Sequence, residues 1–135
     1  LCWQNVLLQL KFFYDNGLRN IVALDFDDIR TRELPVLFRG YDFITLKLVS
    51  SDTEQTKKQM EHRHNHEGGL YVPDVIINRE LLPNEVMIDV AAKSKEEVLQ
   101  EAIDIIDNFM PLKEYTYELP DEKLFLSWVQ SRRLF

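Results

Sequence analysis

Glycine is scarce in this chain. Four of 135 residues are glycine (Gly17, Gly40, Gly68 and Gly69), and no Gly-Lys-Ser/Thr string occurs anywhere. The glycine-rich loop whose backbone amides cradle phosphate groups is therefore not encoded in these residues. Cysteine is nearly absent as well. Cys2 alone makes no internal disulfide and reads as inert packing, so a reducing, cytoplasmic setting is the expected one. No apolar run reaches the roughly 18 residues that span a bilayer, and no signal-peptide pattern is visible, so no membrane association is expected. Basic residues are outnumbered, 16 Lys and Arg against 23 Asp and Glu, for a net charge of −7. Sequence-independent binding to DNA or RNA needs a basic surface, so nucleic acid is not expected as a partner. The short pairs Lys57-Lys58 and Arg132-Arg133 read as solvated faces.

What is present is the composition of one globular domain, 45% apolar and 29% charged, with length for a single core. Trp3, Val6, Leu7, Leu10 and Phe13 fall on one stripe at helical spacing, and Asn16-Gly17 supplies a stop. Residues 20–24 form a continuous apolar run, as expected of a strand covered on both faces, and lead into the acidic turn Asp25-Phe26-Asp27-Asp28. A short helix is expected over residues 30–38, limited by Pro35, and a second strand over 43–49. Ser51-Asp52-Thr53-Glu54 has the pattern of a capping box opening a polar helix to about Arg63. Residues 64–69 read as a loop, and 73–82 as a helix starting at Pro73.

A third strand is expected over 85–90. Ser94-Lys95-Glu96-Glu97 is then a second capping box, opening a helix with Val98, Leu99, Ala102, Ile103, Ile106 and Phe109 on one face until Pro111 stops it. Residues 111–135 read as a C-terminal extension, brief and extended from Tyr115, then helical from Pro120 with Leu124, Phe125, Trp128 and Val129. Strands alternating with helices predict an α/β fold with a mostly parallel sheet and flanking helices, in a single domain over 1–135. Three strands are few for such a sheet, and the chain opens on Leu1 inside an apolar stretch. The expectation is a domain truncated at its N-terminal side, lacking central strands.

Carboxylates at the carboxyl end of a parallel strand stand where open α/β sheets bind ligands. In a phosphotransferase, Asp25 there would hold Mg²⁺, and Asp25, Asp27 or Asp28 would take the proton from an attacking hydroxyl. The plainer alternative is that Asp27 or Asp28 caps the next helix and the others are solvated.

The stretch Asp52-Thr53-Glu54-Gln55-Thr56-Lys57-Lys58-Gln59-Met60-Glu61-His62-Arg63 resembles P-loop NTPase-fold small-molecule and nucleoside kinases. In that family a strand ends in Ser-Asp, and the next helix bears two arginines four residues apart that face the nucleotide. Arg63 matches the second; Gln59 stands at the first, with Lys58 beside it. The likeness continues through the Gly-containing lid, the Pro-Asp helix start, Ile88-Asp89-Val90 and the Ser-Lys-Glu-Glu helix, covering roughly residues 20–109. It implies a three-layer architecture, ATP and Mg²⁺ as cofactors, and a small-molecule acceptor. It further implies an ATP contact from Arg63 and an adenine-side loop at Asp89 and Val90. Gln59 cannot supply the family's first charge, for which Lys58 would compensate, and the plainer alternative is a surface helix with salt links.

Three other readings stay open beside it. Asp25-Phe26-Asp27 also resembles the Asp-x-Asp of haloacid dehalogenase-like phosphatases, but no Gly-Asp-x-x-x-Asp motif follows to complete that family's Mg²⁺ site. His62, His64 and His66 form a His-x-His-x-His run, a metal-ligand spacing set in a polar loop. Leu124, Phe125, Trp128, Leu134 and Phe135 either complete a core or form a self-association surface, which would suit a non-catalytic member of the same fold.

Overall fold

The computed structural model describes residues 2–24, 28–56, 58 and 79–119. The apolar spacing of the N-terminal stretch gives helix α1 (Cys2–Asp15). Its end is a Schellman motif: Leu18 N–H donates to Phe13 O and Gly17 N–H to Tyr14 O, both at 3.0 Å, with Gly17 at φ +88°. Two short helical turns follow, α2 (Asp28–Thr31) and α3 (Leu34–Leu37), in place of one helix over 30–38. Pro35 lies in the first turn of α3, where its missing N–H costs no hydrogen bond, so the helix restarts there. Leu7 of α1 packs with Leu34 and Phe38 as a small buried cluster, and Leu10, Tyr41 and Phe43 lie against it. Phe38 meets the Tyr41 and Phe43 rings at 5.8 and 5.9 Å between centroids. Of the expected α1 stripe, Leu7 is buried and Leu10 half-buried, while Val6 and Phe13 stay exposed.

The architecture is α/β: helices with a two-stranded parallel sheet, β1 (Thr45–Val49) and β2 (Glu85–Asp89), paired in register from Thr45 with Glu85 to Val49 with Asp89. Ile88, fully buried, and Val49 fill the sheet's interior. After β2 comes α4 (Lys95–Asn108). Ser94 caps it as expected: Glu97 N–H donates to Ser94 Oγ at 3.1 Å and Ser94 N–H to Glu97 Oε2 at 2.7 Å.

The expected strand at 20–24 does not form. These residues are irregular, Asn20 has φ +57°, and Val22 and Leu24 are each 78% exposed. An apolar run becomes a strand only when neighbouring strands take up its amides and carbonyls, and among the described residues none lies beside it. The helix expected over 73–82 does not extend through 79–82, which run irregularly into β2. On α4, the apolar arc is wider than the sheet covers. Val98, Ala102, Ile105 and Phe109 are half-buried, whereas Leu99, Ile103 and Ile106 face outward.

From α4 the chain returns as a strap over 109–119, and residues 120–135, with the expected terminal helix, lie outside the described residues. Asn84 pairs with Leu112 in both directions, Nδ2 donating to Leu112 O and Leu112 N–H to Oδ1, each at 2.8 Å. Gly40 N–H donates to Lys113 O at 3.1 Å. The hydroxyls of Tyr115 and Tyr117 donate to Pro35 O and Arg32 O at 2.6 and 2.9 Å. The strap thereby ties the α2–α3 region to the amino-terminal end of the sheet.

Candidate functional site

In a parallel pair both strands finish on the same side, so the segments leaving β1 and β2 are neighbours. Asp89 ties them. Its Oδ1 accepts the N–H of Ser51, after β1, and that of Ala91, after β2, each at 3.0 Å. Hydrogen bonding by the Ser51 hydroxyl, then the Ala91 and Ser51 amides, holds the Asp89 carboxyl below the usual carboxylate range; Lys93 adds a smaller lowering. Val90 N–H extends the ladder to Val49 O at 2.8 Å. The backbone then turns through Val90-Ala91-Ala92-Lys93, with Lys93 N–H donating to Val90 O at 3.3 Å and Ala92 at φ +56°. A left-handed alanine costs about 1–2 kcal/mol, and conformations of this kind gather at ligand-facing turns.

On the β1 side a helical turn opens at residues 53–56. Its cap is Asp52 rather than Ser51: Gln55 N–H donates to Asp52 Oδ1 at 2.8 Å, and the Thr56 hydroxyl donates to Asp52 O at 2.8 Å. Ser51 instead turns its amide to Asp89 across the sheet end. The rim thus comprises Ser50, Ser51 and Asp52 on one side and Asp89 to Lys93 on the other. Lys93 Nζ pairs with Glu101 of α4 at 2.5 Å.

Of the residues singled out from the sequence, the structure brings Asp89 and Val90 into this rim. Asp28 begins α2. Lys58 is helical and exposed. Asp25, Asp27 and Arg63 lie outside the described residues, as do His62, His64 and His66. Among the described residues no group of three or more His, Cys, Asp or Glu is placed to hold a metal ion. Nor is any helix among them long and apolar enough to cross a membrane. Ser51 was read only as the start of a capping box and not as a partner of Asp89; Ala92 went unnoticed, and nothing in the sequence marks it.

At the opposite end of β2 lies a buried ion pair. Arg79 Nη1 and Nη2 donate to Glu85 Oε2 and Oε1 at 2.6 and 2.5 Å, with side chains 11% and 0% exposed. Leu82 N–H also donates to Glu85 Oε2 at 3.0 Å. The turn between them has Pro83 second and Asn84, φ +60°, third, closed by Glu85 N–H to Leu82 O at 3.0 Å, as in a type II turn. An open groove of about 670 Å³ runs between Val86 of β2 and the Glu97, Glu101, Asp104 and Ile105 side of α4. None of the candidate residues lines it.

No protein-family profile, curated protein or solved structure matches this chain.

Proposed function

We propose that this chain forms the nucleotide-facing carboxyl-terminal part of a kinase-like α/β fold with P-loop NTPase three-layer architecture, which transfers the γ-phosphoryl group of ATP to a small molecule. One observation carries the reading. Two parallel strands end side by side, with their exit segments tied by Asp89 and a strained Ala92 turn at the edge where open α/β sheets bind ligands. The sequence has no glycine-rich phosphate loop, and the described residues gather no metal-ligand trio, so they do not by themselves fit a triphosphate with Mg²⁺. The proposed contributions are a rim for the base side at Asp89 and Val90, cations from Lys58 and Arg63, and an acid for Mg²⁺ or proton transfer from Asp25, Asp27 or Asp28.

The test is calorimetric titration of the full-length protein with Mg·ATP, beside its Arg63→Ala variant. Saturable binding is expected. Losing one charge-assisted contact, about 1.5–3 kcal/mol, should weaken it about ten- to a hundredfold. No saturation at millimolar Mg·ATP, or equal affinity in the variant, overturns the reading.

A second reading, a non-catalytic member that keeps the fold for assembly, is favoured by the apolar groups left facing outward at Val22, Leu24, Leu99, Ile103 and Ile106. Sedimentation distinguishes it: a concentration-dependent dimer without nucleotide binding supports assembly, and a monomer that binds Mg·ATP excludes a purely structural role.

A further inference from the structure

We draw no further inference here: the strongest candidate, the outward apolar stripe of α4 formed by Leu99, Ile103 and Ile106, has nothing in the structure to show what covers it.

Discussion

Glu85→Gln tests whether the ion pair beneath β2 holds the fold. The substitution keeps the side-chain volume, removes the charge facing Arg79, and turns an amide N–H₂ toward a guanidinium that can only donate. Two charge-assisted hydrogen bonds are affected, and the acceptor for Leu82 N–H is put at risk. The Glu85 side chain is wholly buried and that of Arg79 is 11% exposed, so water replaces the lost acceptor poorly. Breaking a buried pair on one side costs about 3–5 kcal/mol, a large share of the 5–15 kcal/mol typical of a whole domain. With a urea slope of about 1–3 kcal/mol/M, the unfolding midpoint followed by circular dichroism should fall by at least about 1 M. Arg79→Met should cost a similar amount. The double variant Arg79→Met, Glu85→Met should be markedly less destabilised than the two single losses summed, because it leaves no stranded charge. Single losses below about 1 kcal/mol, the range of exposed pairs, would refute the argument, as would a coupling energy near zero.

Asn84→Ala removes both bonds to Leu112 and leaves at φ +60° a residue less tolerant of the left-handed region than asparagine; a loss of about 2–4 kcal/mol is expected in the same urea assay. Gly17→Ala meets no atom within 4 Å but sits at φ +88°, so the cost should be conformational alone, about 1 kcal/mol, read as a lower thermal midpoint. Asp89 has a folded pKa below its unfolded value of about 3.9, so its contribution is present above that pH and is lost as pH falls through the folded value. The stability gap between the unaltered chain and Asp89→Asn should therefore be constant near neutrality and close in acid; a gap unchanged down to pH 2 contradicts the hydrogen-bonded geometry.

Local rules made part of this molecule legible. The Ser94 box needs only four consecutive residues, and both of its hydrogen bonds form as read. β1 and β2 lie within the expected strands because their apolar runs find each other as partners. The same kind of run at 20–24 misled, since strand formation belongs to the pair and not to the segment. At 51–54 two adjacent residues could each cap a helix; Asp52 does so, while the Ser51 amide donates to Asp89, 38 residues further on. The Arg79–Glu85 pair carried no local signature, and the Pro83-Asn84 turn was not among the elements expected. For the candidate site, Asp89 and Val90 were read at the end of an expected strand and lie at the end of β2, whereas the strand expected to lead into Asp25 does not form. The tie through Ser51 was not legible, because it depends on which loop the fold sets alongside.

The strap also bears on how the chain folds. Its bonds from Tyr115 to Pro35, Tyr117 to Arg32 and Arg39 to Tyr117 bridge separations of 80, 85 and 78 residues. Closing such long loops requires most of the polypeptide to be fixed first, so these contacts belong to the slow, high-contact-order part of folding. In native-state hydrogen exchange, the Gly40 and Leu112 amides should open together, because the strap covers both. Amides in the middle of α4, which rest on local bonding, should open independently of them. The seam would then mark the border between two cooperative folding units, drawn by residues that meet only after the rest has assembled.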